Sequence, residues 1–290
     1  MQFLTSLLVL MLVVMFPAKA CEVQVRHQFM ESSKDRLVLS LLKLSLSKVS
    51  DDICYSELAH DVSSARESNL TQKNVIDVYW ASTSSLLHKD NLAIRQPIFK
   101  GILGHRLLVI RDGEQHRFDN IETIQQLRKL VAGQGDFWGD TKVLKASGIP
   151  VMTSTRGRRL WDMLAEGRFD YLPLAVHEPW EDIKIRPNHN LTVENQLMLV
   201  YPMAMYFYVN QRNQKLYALI SEGMKKALSD GSYDEVLMSS SIMKTTAKYA
   251  NIANRKIIFM NNPDWETTQD FQIYRQQTQQ LVDLINNIDI

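Results

Sequence analysis

The chain has 290 residues, of which 45% are hydrophobic and 22% are charged, a globular composition that excludes an intrinsically disordered protein. This length holds one large domain or two of ordinary size. The formal net charge is +1 and no dense run of Lys and Arg occurs, which argues against a nucleic-acid partner.

Residues 1–20 form an apolar segment with the features of a secretory signal peptide. It ends in Ala18-Lys19-Ala20, which fits the A-x-A cleavage pattern. The alternative is an uncleaved membrane anchor, but the apolar part, residues 3–16, is short against the about 20 residues that a spanning helix needs. We expect export to the periplasm and a mature chain that begins at Cys21.

The chain has two cysteines, Cys21 and Cys54. If residues 22–28 and 52–57 are neighbouring parallel strands, both cysteines lie near the amino-terminal ends of those strands, where a disulfide can close. Export makes that bridge chemically possible. Lipid attachment at Cys21 is the alternative, but the residues before it fit a lipidation signal poorly. We therefore favour the disulfide.

The first part of the mature chain alternates strands and helices. Val23 and Val25 alternate with polar residues, and Ser32 and Asp35 can cap the helix that follows. The predicted order is a strand at 22–28, a helix after residue 32, a strand at 53–58, a polar helix at 62–72 and a strand at 75–80. This βαβαβ order predicts a mostly parallel sheet with right-handed crossovers.

A second alternating region lies in the middle of the chain. Leucine and isoleucine at helical spacing predict a helix over residues 118–131. Between 133 and 180 we predict a glycine-rich turn at Gly133-Gln134-Gly135, a short helix, a strand at 149–153, a helix near 160–165 and a strand opening at 168–170. We expect Asp170 to fix the start of that last strand. Ligands of such sheets lie at the carboxyl ends of the strands.

Two apolar segments flank this middle region. Residues 91–111 hold Pro97, Gly101 and Gly104 before an apolar strand at 107–110. A second apolar segment follows at 197–200 and 205–209, and the chain ends in a predicted helix at 271–288. The segment 230–236 reads D-G-x-Y-x-x-V after a helical stretch.

This order, together with the Gly167-Arg168-Phe169-Asp170 segment, the crossing segment and the D-G-x-Y-x-x-V signature, resembles bacterial extracellular solute-binding proteins of family 3. The resemblance covers residues 22–240. It implies the type II periplasmic binding fold, an α/β fold of two lobes, each a mostly parallel sheet flanked by helices, joined by two crossing strands. The implied division is 21–104 for the first part of lobe 1, 105–200 for lobe 2, and 201–290 for the rest of lobe 1 with a helical tail that packs on it.

The resemblance also implies a ligand cleft between the lobes. The candidate ligand-binding residues at strand ends and helix starts are Arg26, Trp80, Ser82, Ser84, Lys89, Gln134, Trp138, Ser154, Arg156 and Glu178. Some of them have a competing structural role. Ser82 and Ser84 can cap a helix, Trp138 can be partly buried packing, Arg156 can be a solvated surface residue, and Glu178 can be a surface carboxylate.

Amino-acid binders of this family hold the ligand carboxylate with an arginine after the third-strand serines, and the amine with an aspartate after the GR-x-D motif. Here those positions fall near His88 and Ala175, with Lys89 beside the first. These departures put an ordinary α-amino acid ligand in doubt, unless His177 or Glu178 takes the place of the missing aspartate.

The sequence offers no convincing catalytic set. It lacks the H-E-x-x-H, Walker and G-x-S-x-G motifs, its histidines are scattered, and cysteines in a disulfide are poor nucleophiles. We expect no metal, no cofactor and no enzymatic activity. The sequence favours a monomeric solute-binding protein that hands a small polar ligand to an inner-membrane permease of an ABC transporter. The alternatives are a ligand sensor that signals to a membrane receptor and an enzyme on the same fold.

Overall fold

A computed structural model describes residues 21–83, 91–265, 271–286 and 288 of the chain. Its strands are β1 (Val23–His27), β2 (Ile53–Glu57), β3 (Val78–Ser82), β4 (Asn91–Ile94), β5 (His105–Arg111), β6 (Ala132–Gly135), β7 (Val151–Ser154), β8 (Leu172–Ala175), β9 (Leu191–Val193), β10 (Leu197–Val200), β11 (Met205–Asn210) and β12 (Lys256–Phe259). Its α-helices are α1 (Ser33–Ser47), α2 (Ser64–Gln72), α3 (Ile124–Leu127), α4 (Gly139–Ala146), α5 (Gly157–Ala165), α6 (Pro179–Lys184), α7 (Gln214–Ser229), α8 (Ser232–Met238), α9 (Ser241–Tyr249) and α10 (Phe271–Asn286).

The first sheet has the order β2-β1-β3-β11-β4. Strand β1 pairs in parallel with β2 and β3, whereas β11 pairs antiparallel with β3 and β4. Helices α1, α7 and α8 pack together beside this sheet, and α2 contacts β3, β4 and β11. We call this sheet and its helices the first lobe.

The second sheet has the order β12-β10-β5-β8, and β9 also pairs with β5. Strands β6 and β7 form a separate parallel pair that a bridge between Ala132 and Tyr171 connects to the start of β8. Helices α4, α5 and α6 follow β6, β7 and β8 in turn. We call this assembly the second lobe. The α/β class and the βα alternation in both regions are confirmed. Neither sheet is mostly parallel, which corrects that part of the prediction: β11 pairs antiparallel with both its neighbours in the first sheet, and β5 pairs antiparallel with β8, β9 and β10 in the second.

The predicted disulfide between Cys21 and Cys54 is present, with the two Cα atoms 5.8 Å apart. It closes because β1 and β2 are parallel neighbours in which Gln24 lies opposite Cys54. Reading the two strands as neighbours was therefore sufficient to predict the bridge.

The helix predicted over residues 118–131 was wrong in extent, since α3 covers only Ile124–Leu127. Thr123 caps this helix, accepting a hydrogen bond from the Gln126 amide while the Gln126 side chain accepts one from the Thr123 amide at 2.9 Å. This capping box fixes the helix start. Phe118, which was predicted to be helical, lies in the turn before it and is buried.

The glycine-rich turn predicted at Gly133-Gln134-Gly135 was also wrong, because these residues belong to β6. A Cβ atom at Gly133 would collide with the ring of Phe169, and one at Gly135 with the ring of Trp138. The glycines therefore allow two aromatic rings to lie directly on the strand.

The strand predicted to open at residues 168–170 begins later, at Leu172. Asp170 precedes it and, as expected, has a structural role. Its carboxylate accepts hydrogen bonds from the Val131 amide at 2.7 Å and from Arg117 at 2.6 Å, which holds the chain at the entry to β8.

The tail was expected to pack on the first lobe, and this was wrong. Strand β12 pairs in parallel with β10 at the edge of the second sheet. The buried guanidinium of Arg255, directly before β12, donates to the carbonyl oxygens of Glu194 at 2.6 Å and Leu197 at 3.0 Å. Further on, His105 of β5 contacts the Thr278 hydroxyl of α10 at 3.0 Å. These buried polar contacts fix the tail to the second lobe.

Helices α1 and α7 approach closely at Gly223, which faces the backbone of Ser45. A Cβ atom at Gly223 would collide with the Ser45 carbonyl oxygen. The α1 carbonyl cannot move away without disturbing its own helix. The contact between the two helices therefore depends on the absence of a side chain at this position.

Replacing Gly223 with alanine tests this contact. Overpacking costs about 1–3 kcal/mol, which exceeds the gain of up to about 1 kcal/mol from the higher helix propensity of alanine. We expect Gly223→Ala to lower the free energy of unfolding in urea. Lys225→Ala, at an exposed position on the same helix, is the control. Equal stability of the two variants would contradict the close approach.

Candidate functional site

A cleft of about 820 Å³ lies between the two lobes. The predicted ligand-binding residues that line it are Trp80, Ser82, Gln134, Trp138, Ser154, Arg156 and Glu178. Ser84 and Lys89 lie outside the described residues. Helix starts from both lobes meet at this cleft, because α1 begins beside it in the first lobe and α5 and α6 begin beside it in the second.

Arg26 does not line the cleft, which corrects its predicted role. Its guanidinium binds both carboxylate oxygens of Asp77, with Nε to Oδ2 at 2.8 Å and Nη2 to Oδ1 at 2.7 Å. In β1 the side chains of Val25 and His27 are buried, and Arg26 between them points to the other face of the sheet. Gln28, just after the strand, lines the cleft instead, and its side-chain oxygen accepts from the Trp80 amide at 2.7 Å.

Trp80 forms part of the first-lobe wall and is almost fully buried. Its indole nitrogen donates to Asp35 Oδ1 at 2.9 Å. The other oxygen of Asp35 accepts from the amide and hydroxyl of Ser32, at 3.0 and 2.7 Å, in the capping box that begins α1. The tryptophan is thus fixed in place by the start of a helix, which suits a rigid wall for a ligand.

In the second lobe, several predicted residues already have structural partners. The Gln134 amide donates to the Pro173 carbonyl at 3.2 Å. Trp138 packs its ring over Gly135 and Gly157. Ser154 forms a local turn, in which its hydroxyl donates to the Arg156 carbonyl at 2.9 Å. These residues shape the cleft.

The Arg156 side chain is exposed at the start of α5, in the lining of the cleft. Among the described residues, no hydrogen bond or ion pair involves its guanidinium. An arginine in this position can bind a carboxylate through two parallel hydrogen bonds.

A buried charged cluster that was not predicted from the sequence lies at the back of the cleft. Arg106 of β5 is 4% exposed and forms an ion pair with Asp140 at 2.7 Å, and the Tyr201 hydroxyl donates to the same Asp140 oxygen at 2.5 Å. Burial, and then the Asp140 carboxylate, raise the pKa of Tyr201. Within the described part of the chain, the Nε atom of Arg106 has no hydrogen-bond partner. The only sequence signal for this cluster was an arginine inside an apolar strand.

Glu178 connects this cluster to the first lobe. One carboxylate oxygen binds Lys34 Nζ of α1 at 2.9 Å, and the other accepts from the Ala175 amide at 2.7 Å and lies 3.7 Å from Arg106. Burial alone would raise the pKa of Glu178, but Lys34, His177 and Arg106 together lower it to about 2. The carboxylate is therefore ionised and already has cationic partners.

His177 lies beside Glu178 and is buried against Phe99, with the two ring centres 4.3 Å apart. Burial lowers the pKa of His177 to about 4, so its ring is neutral at pH 7. Neither ring nitrogen has a hydrogen-bond partner among the described residues. A neutral histidine and an occupied Glu178 do not replace the missing aspartate near Ala175.

In the described ranges, no three histidine, cysteine, aspartate or glutamate side chains are grouped so as to hold a metal ion. The helices of those ranges include none with the length and apolar character that crossing a bilayer requires.

Comparison with known proteins gave structural similarity only. No protein-family model and no curated protein matches the chain. An ancestral arginine-binding protein bound to arginine is 16% identical, with a TM-score of 0.57 over 75% of this chain and 98% of that chain. A histidine kinase sensor domain similar to periplasmic binding proteins is 14% identical, with a TM-score of 0.58 over 76% and 96% of the two chains.

A third solved structure is an amino acid ABC transporter substrate-binding protein from Streptococcus pneumoniae bound to L-arginine. It is 11% identical, with a TM-score of 0.57 over 75% of this chain and 93% of that chain. At such identities a likeness in structure establishes the fold and leaves the ligand open. The chain has the two-lobe fold of periplasmic binding proteins.

Proposed function

We propose that the protein is an exported solute-binding protein that captures a small polar ligand between its lobes and delivers it to the permease of an ABC transporter. The observation that carries this proposal is the cleft of about 820 Å³, which polar and charged side chains from both lobes line. Clefts of this size and chemistry suit a small polar solute. The fold agrees, since two of the similar structures are an arginine-binding protein and a transporter's substrate-binding protein.

The other parts of the proposal come from the sequence. Residues 1–20 serve as the signal peptide, and the mature chain acts in the periplasm as a monomer. The disulfide between Cys21 and Cys54 agrees with an oxidising compartment. The division of the chain at residues 104 and 200 is part of the same proposal, apart from the tail, in which β12 pairs with β10 of the second sheet.

Ligand sensing is a second candidate, which the similarity to a histidine kinase sensor domain favours. Both roles use ligand-driven closure of two lobes. Neighbouring genes for a permease and an ATPase would support transport, whereas a neighbouring kinase or cyclase gene would support sensing. Recovery of the ligand chemically unchanged after incubation separates either role from an enzyme.

A thermal-shift screen of the mature chain tests the binding function. The panel contains amino acids, peptides, organic acids, sugars and polyamines. A ligand at about 100 times its dissociation constant stabilises the folded state by about 2.7 kcal/mol, so we expect a clear rise in melting temperature with at least one solute. Small-angle scattering with that solute should show a smaller radius of gyration. The absence of any shift across the whole panel would contradict the proposal.

Arg156 is the second-lobe residue available to a charged ligand. Once the screen has provided a ligand with an anionic group, Arg156→Ala should weaken its binding by about 1.5–3 kcal/mol, because a charge-assisted hydrogen bond is lost. The matched control is Arg159→Ala, which removes an exposed arginine of the same helix that does not line the cleft. Calorimetric titration measures both. Equal affinities for the two variants would remove Arg156 from the site.

Glu178 is expected to hold the lobes together. Glu178→Gln keeps an acceptor for the Ala175 amide but leaves Lys34 without its carboxylate, and should cost about 1.5–3 kcal/mol in urea unfolding at pH 7. Because the folded-state pKa of Glu178 is lowered to about 2, its contribution is present above its unfolded pKa and is lost as the pH falls towards 2.

The control for this variant is Glu181→Gln, which alters another carboxyl group of the cleft lining that has no ion pair among the described residues. If Glu178→Gln is as stable as Glu181→Gln at pH 7, the ion pair between the lobes does not stabilise the fold.

A further inference from the structure

The first-lobe wall of the cleft carries several carboxylates. Asp35 belongs to the first turn of α1, Glu67 to the first turn of α2, and Asp61 to the loop before α2, and all three line the cleft. Asp35 and Glu67 are 8% and 6% exposed, whereas Asp61 is exposed at the rim. We call these three residues the acidic wall.

Glu67 differs from the other carboxylates of the cleft because it is buried without a partner. Among the described residues, no hydrogen bond or ion pair involves its carboxylate. By contrast, Asp35 accepts from Trp80 and Ser32, and Glu178 binds Lys34. Burying an ionised carboxylate without a donor costs free energy, so such a group facing a cleft marks the place where a ligand donor binds.

The charges around Glu67 also favour a ligand donor at this position. Burial, and then the charges of Asp35 and Asp61, raise its pKa well above the usual range, while Lys34 opposes the shift. Lys34 itself is engaged by Glu178 at 2.9 Å. At the rim, Glu31 is paired with Arg158 of the second lobe at 3.1 Å. Arg36 and Arg66 also line the cleft but form no ion pair with the acidic wall among the described residues.

The second-lobe wall carries charges of both signs. Arg156 lines the second-lobe side without an ion pair among the described residues, and Arg106 at the back has an unpartnered Nε atom. Asp136 and Glu181 line the same side of the cleft, so the case for a cation at the acidic wall rests on the buried, unpartnered carboxyl group of Glu67 and not on the net charge of either wall.

We propose that the acidic wall binds a cationic group of the ligand, an ammonium or a guanidinium, through a direct contact with Glu67. This inference rests on the proposed function, since it names the chemistry of the solute that the cleft takes up. Glu67 provides the direct acceptor, and Asp35 and Asp61 add attraction at short range. Because a cation favours the ionised carboxylate, binding lowers the raised pKa of Glu67.

Calorimetric titration of the mature protein tests the inference. Arginine and agmatine are the guanidinium probes, putrescine is the ammonium probe, and citrulline is the neutral isostere of arginine. We expect at least one cation to bind and, if arginine does, citrulline to bind at least about tenfold more weakly. Titrations in two buffers of different ionisation heat, repeated over a range of pH, should show proton release in the interval between the pKa values of the free and the cation-bound Glu67, and the affinity for the cation should rise with pH through that interval.

Variants of the acidic wall test directly whether Glu67 contacts the cation. Glu67→Gln should weaken cation binding at least about tenfold and abolish proton release. The matched control, Asp136→Asn, removes an exposed carboxylate from the second-lobe side of the same cleft and should change affinity less than about twofold. Glu67→Gln should melt no lower than the wild type at pH 7, because a raised carboxyl pKa in the folded state means that ionisation destabilises the fold.

A second variant tests the inference if Glu67→Gln fails to fold. Asp61→Asn changes an exposed side chain and should still weaken cation binding. Unchanged cation affinity in both variants, or failure of every cation to bind, overturns the inference. The proposed function falls only if no anion, neutral solute or cation of the wider screen binds, so the two failures are distinguishable.

Discussion

The ion pair between Lys34 and Glu178 is the contact on which the spacing of the two cleft walls depends. Lys34 belongs to the first turn of α1 in the first lobe, and Glu178 precedes α6 in the second. Glu178 also accepts from the Ala175 amide and lies near Arg106, whose own partner is Asp140. A buried charge in one lobe is therefore compensated by a charge in the other. Moving the lobes apart would separate this pair and leave a buried charge without a partner, which costs free energy. The pair therefore favours one distance between the two walls.

Most of the strands were predictable because each has a recognisable pattern of apolar residues in its own segment of the sequence. Alternating Val23 and Val25 predicted β1, and the apolar segments at 197–200 and 205–209 predicted β10 and β11 closely. The disulfide was predictable because parallel neighbours bring Cys21 and Cys54 together. The errors arose where tertiary contacts override local preference, as at Gly133, where the ring of Phe169 requires a strand without a side chain.

The site was less predictable than the fold. Trp80 and Arg156 were found because they stand at strand ends and helix starts, and such positions surround a cleft in any α/β sheet. Arg26 was assigned to the cleft on the same grounds, but the pleat of β1 turns it towards Asp77. Glu67 was missed because α2 has few apolar residues, so its sequence resembles that of a solvated helix. The family resemblance did not help there, since a shared fold leaves the placement of charges free.

The chain passes between the lobes more often than two crossing strands imply. It enters the second lobe before β5, returns to the first at β11, and after α8 crosses again so that β12 can pair with β10. Arg255 anchors that last passage through buried carbonyl oxygens. Two adjacent strands act as a simple hinge and permit both bending and twisting. A third covalent strap, ending at the far edge of the second sheet, restricts the twist, so the lobes of this protein should open mainly by bending about one axis.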